Sequence, residues 1–120
     1  DVPEDIIKLA TYCPEGTGNV RHALGPKWDS RLSMASAGPD WVDFTIADKA
    51  LGLETLCKAL GVAPDECAAF GDNWNDAPML KKAGRGYIMA TSDPNLRAQF
   101  ELQCENVEDV LENFLETGEI

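Results

Sequence analysis

The feature that most narrows what this chain can fold into is the run Cys67-Ala68-Ala69-Phe70, followed at once by Gly71-Asp72-Asn73-Trp74-Asn75-Asp76 and then by a segment bearing Met79, Leu80 and Ala83 that Gly84 stops. An apolar run of strand length with no polar alternation belongs in a sheet buried on both faces. The order is therefore buried strand, acidic loop, helix. Upstream, Leu51, Leu53, Leu56, Cys57 and Leu60 recur at helical spacing, and Gly61 supplies the stop. Downstream, residues 86–90 (GYIMA) read as a second buried strand. Asp93-Pro94 is an N-cap with proline at the first helical position of a helix continuing through residues 95–100. Residues 102–104 form a weak strand, and Val107, Val110, Leu111, Phe114 and Leu115 lay an apolar stripe along a last helix. Strands alternating with helices predict an α/β fold, a parallel sheet with helices on both faces. In such sheets chemistry sits beyond the carboxyl ends of the strands, where residues 71–76 lie.

The first 46 residues have another texture. Residues 6–13 (IIKLATYC) read as a strand closed by Pro14 and Gly16-Thr17-Gly18, and residues 19–24 as a short helix stopped by Gly25-Pro26. Residues 31–37 and 41–46 alternate as two strands able to pair as a hairpin. This is an α+β piece, too small to be a domain alone. The expected division is 1–46 and 47–120.

Composition excludes several classes. With 21 Asp+Glu against 10 Lys+Arg the net charge is −11. Such a chain repels nucleic-acid phosphates and anionic membranes, so neither is an expected partner. No apolar stretch reaches the roughly 18 to 20 residues of a membrane span, and no leader pattern is visible; a cytoplasmic location is expected. The cysteines at 13, 57, 67 and 104 form no CxxC pair, which argues against structural zinc. A start at Asp1 rather than Met leads us to expect a piece of a longer protein.

Asp72 and Asp76 stand four apart with Asn73 and Asn75 between them. Two carboxylates about 4 Å apart repel by about 4 kcal/mol at an effective dielectric near 20, which a hard divalent cation would relieve. Mg²⁺ suits an all-oxygen donor set with water and phosphate completing it. An EF-hand fails, because counting from Asp72 places Trp74, Ala77 and Ala83 at the third, sixth and twelfth positions. The plainer alternative is that Asp76 caps the next helix and Asp72 closes a turn. Lys49 opens a helix behind Asp48, where the dipole disfavours a cation by roughly 0.3 to 1 kcal/mol. It is either a surface lysine paired with Asp48 or a cation aimed at a phosphate. His22 has no second His or Cys partner, Ser30, Ser33 and Ser36 form no nucleophile elbow, and Gly84-Arg85-Gly86 reads as a helix stop and turn.

From Lys49 to Leu115 the chain resembles the C-terminal half of the haloacid dehalogenase superfamily, specifically its Cof-type phosphatases with an inserted α/β cap. Lys49-Ala50-Leu51, Leu60-Gly61-Val62, Ala69-Phe70-Gly71-Asp72-Asn73-Trp74-Asn75-Asp76, Met79-Leu80 and Ala83-Gly84 are similar to that family's third and fourth motifs in order. Residues 3–46 look like the end of the cap. The resemblance implies a Rossmann-like core, Mg²⁺ bound by Asp72, and Asp76 holding the metal through water or orienting the lysine. Asn75 would contact phosphoryl oxygens, and Lys49 would stabilise the nucleophile and the transferring group. The implied reaction is attack of an aspartate on a phosphomonoester, giving an aspartyl-phosphate that water cleaves.

The family's DxDx[TV] nucleophile motif is absent here, Asp40-Trp41-Val42-Asp43 and Asp43-Phe44-Thr45 having the wrong spacing. The first reading is therefore a Mg²⁺-dependent phosphohydrolase whose missing N-terminal half supplies the nucleophile; alone, this chain would be inactive. Its implied partner is a small phosphorylated metabolite, a sugar phosphate by analogy. The alternative is a non-catalytic binding module that retains the acidic loop as a relic. A receiver-type signalling domain is rejected by order, since its lysine comes late and Lys49 comes first.

Overall fold

A computed structural model describes residues 7–118, so Ile6 of the first expected strand lies outside the described residues. The chain divides between Asp48 and Lys49 into two compact units.

In the first unit, β1 (Lys8–Tyr12), α1 (Gly18–Trp28), β2 (Ser33–Ser36) and β3 (Trp41–Thr45) follow in order, and the strands form an antiparallel sheet ordered β1-β3-β2. The expected pairing of the last two strands is present, with Ser36 opposite Val42. Alternation along β3 sorts the two faces: Val42 and Phe44 are buried with Cys13, against Val20, Leu32 and Met34. Trp41 lies on the other face opposite Tyr12, with ring centroids 5.1 Å apart. Lys8 bonds Asp43 at 3.0 Å on that face, an exposed pair of small energetic weight.

The helix expected to stop before Gly25-Pro26 instead runs to Trp28. Pro26 forfeits a single N–H, and the backbone beyond it is closed again by Asp29 N–H to the Gly25 carbonyl at 2.9 Å. The Arg31 and Leu32 N–H groups then both bond the Trp28 carbonyl. A largely exposed helix tolerates the one lost N–H, so the Gly-Pro signal does not mark an end here.

The second unit contains α2 (Lys49–Leu60), β4 (Ala68–Gly71), α3 (Ala77–Lys82), β5 (Arg85–Met89), α4 (Pro94–Arg97), β6 (Gln103–Cys104) and α5 (Val107–Thr117). The three strands are parallel and ordered β4-β5-β6, with Ala68 opposite Arg85 and Ile88 opposite Gln103. This is the expected α/β arrangement. Ala69, Ala77, Leu80, Ile88 and Leu96 form its core, with Met79, Ala83 and Phe100 packed around them. The helix expected over residues 95–100 is one turn only. Asp93 caps it, its Oδ1 accepting from the Asn95 and Leu96 N–H groups. Beyond Arg97 the Gln99 and Phe100 N–H groups switch to carbonyls three residues back, which tightens the chain out of the α-helix. The stripe on α5 is largely solvent-facing, Leu111, Phe114 and Leu115 being exposed.

Leu80 is 2% exposed at the centre of the second core. Leu80→Ala should cost about 2–5 kcal/mol in urea unfolding followed by circular dichroism. Leu60→Ala, at an exposed position, should stay within about 0.5 kcal/mol.

Candidate active site

β4 delivers the chain to Gly71, and the next five residues build a polar turn around one carboxylate. Asn73 is extended, its Oδ1 accepts from Trp74 N–H at 2.8 Å, and Trp74–Asp76 makes a single 3-10 turn closed by Asp76 N–H to the Asn73 carbonyl at 2.9 Å. Asp76 Oδ2 reaches back to accept from the N–H groups of Asp72 and Asn73, each at 3.0 Å. The turn and its side chain thus hold each other in a capping box. α3 then begins at Ala77, and Asp76, although at its N-cap position, gives that helix no side-chain bond. The carboxylate serves the loop and not the helix.

Its other oxygen, Oδ1, takes the Lys49 ammonium. Lys49 is the first residue of α2, so the sequence-distant cation and the loop carboxylate are brought together within one unit. The pair is asymmetric, since Asp76 is 3% exposed while the lysine side chain is half in solvent. Burial pushes the Asp76 carboxyl up, but the Lys49 ammonium and the Asn73 and Asp72 N–H groups outweigh it and hold the group below its ordinary range. The unfavourable helix-dipole position of Lys49 is answered by this ion pair.

Backbone geometry leaves no freedom at Gly71: a Cβ there would stand 2.5 Å from Asp76 Cβ and 2.8 Å from its Cγ. Only glycine lets the strand end pass so close to the carboxylate. Nothing local signals this constraint, because glycine after a strand also reads as ordinary turn chemistry.

The remaining candidates separate by exposure. Asp72 projects from an exposed position, and Trp74 is 49% exposed. Asn75 is partly buried, and its Oδ1 is fully covered without a hydrogen-bond partner. That oxygen is a covered acceptor, and leaving it unmet costs about 1–3 kcal/mol. In the turn three residues beyond β5, Ser92 Oγ is likewise buried and unpartnered, a polar position that no sequence pattern indicated. Among the described residues no cluster of three His, Cys, Asp or Glu stands ready to hold a metal. The turn offers oxygen donors only, from Asp72, Asn75 and Asp76. Three donors already occupy Asp76, out of about four lone-pair positions on a carboxylate. Such a set suits a hard cation that keeps most of its water. His22 is exposed on α1, in the first unit.

A family model described as haloacid dehalogenase-like hydrolase matches residues 3–113. The chain belongs to the haloacid dehalogenase-like hydrolases. An HMP-PP phosphatase of Escherichia coli O157:H7 (strain EC4115 / EHEC) is 42% identical over 96 residues, 80% of this chain and 32% of that protein. The crystal structure of SMU.1108c from Streptococcus mutans UA159 superposes with a TM-score of 0.82 at 30% identity, over 96% of this chain and 47% of the other. The HAD subclass IIB sugar phosphatase BT4131 shares the fold, with a TM-score of 0.77 at 19% identity over 92% of this chain and 44% of its own. The resemblance to Cof-type phosphatases read from the motifs therefore holds. This haloacid dehalogenase-like chain spans between about a third and about half of the length of these relatives.

Because the folded pKa of Asp76 is depressed, the stability it confers is present above the unfolded carboxylate value of about 3.9 and is lost as pH falls through the folded value. Asp76→Asn should lower stability at pH 7 by about 1–3 kcal/mol and flatten the acid limb below pH 4. Urea midpoints between pH 7 and pH 3 test this; parent and variant curves that run parallel would contradict it. Gly71→Ala should destabilise at all these pH values, since its clash is steric.

Proposed function

We propose that this chain supplies the charge- and metal-bearing half of a Mg²⁺-dependent phosphomonoester hydrolase acting in the cytoplasm. On this reading residues 1–46 are the C-terminal part of an α+β cap, and residues 47–120 are the C-terminal half of a Rossmann-like core. The observation that carries the proposal is the buried Asp76 carboxylate joining Lys49 to the acidic turn. A surface lysine paired at random would not meet a buried acid that also accepts two loop N–H groups.

The roles follow from what each group has left to offer. Lys49 spends one N–H on Asp76, which aims the ammonium, and two more remain for phosphoryl oxygens and for the attacking carboxylate. Asp72, exposed beside the turn, holds Mg²⁺ directly, and Asp76 holds it through water with its remaining lone pair. Asn75 orients a phosphoryl oxygen by its amide nitrogen. When bound, Mg²⁺ neutralises charge on the phosphoryl group and orients it. The nucleophilic aspartate forms a bond to phosphorus as the ester oxygen leaves, and water then cleaves the aspartyl-phosphate. No DxDx[TV] occurs in the 120 residues, so another segment must provide that aspartate. The substrate is a small phosphorylated metabolite, in keeping with relatives named as an HMP-PP phosphatase and a sugar phosphatase.

In a full-length protein carrying this chain, Lys49→Ala should lower kcat on phosphomonoesters by about 10²–10³. Trp74→Ala should keep most of the activity, and a metal chelator should abolish it. Equal losses for the two variants would overturn the roles. The 120-residue chain alone should show no turnover.

Metal binding is testable in the chain itself. About 10 mM MgCl₂, against a dissociation constant on the order of 1 mM, should add about 1.4 kcal/mol and raise Tm. Asp72→Asn should remove that rise; an equal rise in the variant would exclude the turn as the site.

A further inference from the structure

Outside the acidic turn, the described residues bring two more reactive side chains into contact. Cys57 Sγ and Cys67 Sγ lie 3.4 Å apart, the first near the end of α2 and the second immediately before β4. From this geometry we infer that Cys57 and Cys67 are a dithiol that oxidises to a disulfide in the folded chain, a modification site clamping α2 to the start of β4.

Both cysteines are fixed by their own backbone. α2 ends with Gly61 at φ +71°, and the Val62 N–H bonds back to the Cys57 carbonyl at 3.1 Å, a Schellman closure. On the other side a 3-10 turn, Pro64–Glu66, gives Cys67 N–H to the Pro64 carbonyl at 3.2 Å. The Cys67 carbonyl then accepts from Arg85 N–H at 3.1 Å in the sheet. The Glu66 carboxylate adds a bond from Ala63 N–H at 2.8 Å. The thiols are therefore neighbours because the loop between them is closed at both ends. Closing 3.4 Å to the 2.03–2.05 Å of a disulfide asks the two sulfurs to approach by about 1.4 Å.

Exposure assigns the order of events. Cys67 is partly exposed and meets the oxidant, while Cys57 is buried at 2% and cannot. With glutathione disulfide as oxidant, Cys67 sulfur attacks one glutathione sulfur, giving a mixed disulfide and one glutathione thiol that takes the proton. Cys57 then attacks Cys67 sulfur, forms the Cys57–Cys67 bond and releases a second glutathione thiol. Two protein thiols are oxidised by two electrons and one glutathione disulfide becomes two thiols. In the reduced chain burial, and after it the Cys67 thiol, push the Cys57 thiol up; once Cys67 carries glutathione only burial remains, and the second step is intramolecular. The other two cysteines are engaged elsewhere: Cys13 donates to the Thr11 carbonyl at 3.5 Å and Cys104 to Met89 sulfur at 3.7 Å.

The bond would join the helix whose first residue is Lys49 to the strand that delivers the acidic turn. The test is to incubate the full chain, natively folded, with excess glutathione disulfide, then block remaining thiols, digest and map by mass spectrometry. We expect loss of two of the four thiols, a Cys57–Cys67 peptide pair two mass units lighter, and a Tm several degrees higher that dithiothreitol reverses. Cys67→Ser, at a partly exposed position, should keep all its remaining thiols, and Cys57→Ala should leave glutathione trapped on Cys67. Four free thiols after prolonged incubation would overturn the proposal. So would glutathione persisting on Cys67 of the parent chain, or a pairing of Cys57 with Cys13 or Cys104.

Discussion

A single buried carboxylate organises the second unit's polar end. Asp76 accepts from Asp72, Asn73 and Lys49 at once, so the shape of the turn, the start of α2 and the approach of Gly71 all refer to it. Low dielectric makes the arrangement cooperative: with its partners in place the charge is stabilised, and with one removed the desolvation cost stands uncompensated. Asn75 contributes the opposite element, a covered oxygen with nothing to bond. The turn satisfies one acceptor threefold and leaves its neighbour unmet, at a cost to folding stability.

Charge bears on the same point from a longer range. The chain carries −11, and two further lysines, Lys8 and Lys82, are tied to Asp43 and Glu54. On the proposed reading an anionic substrate would approach this chain against that field, and the Lys49 ammonium would be a local attraction.

Much of this was legible in the residues. Helical spacing over Leu51 to Leu60, the unbroken run at Cys67–Phe70 and the caps at Gly61 and Asp93 each rest on local chemistry that tertiary packing did not override. The acidic turn and Lys49 stood out because each is poorly placed for stability alone. Long-range geometry was what spacing could not carry. Nothing local distinguishes an Asp76 that caps α3 from one that turns back to two N–H groups and a lysine 27 residues away. Gly25-Pro26 misled for a related reason, since a breaker costs one hydrogen bond and whether the helix survives depends on bonds made beyond it. Gly71 and Ser92 were invisible, because a close approach and a missing partner are properties of neighbours and not of the residue itself.

The strand registers also set unequal costs of chain closure. In the first sheet β2 meets β3 with Ser36 against Val42, whereas β1 must bring Lys8 to Thr45 across nearly the whole unit. Loop-closure entropy grows by about 0.6 kcal/mol for each doubling of the enclosed chain, so closing the hairpin costs less chain entropy than bringing β1 to β3. The parallel pairs of the second sheet, Ala68 with Arg85 and Ile88 with Gln103, enclose comparable intermediate lengths and have no such hierarchy.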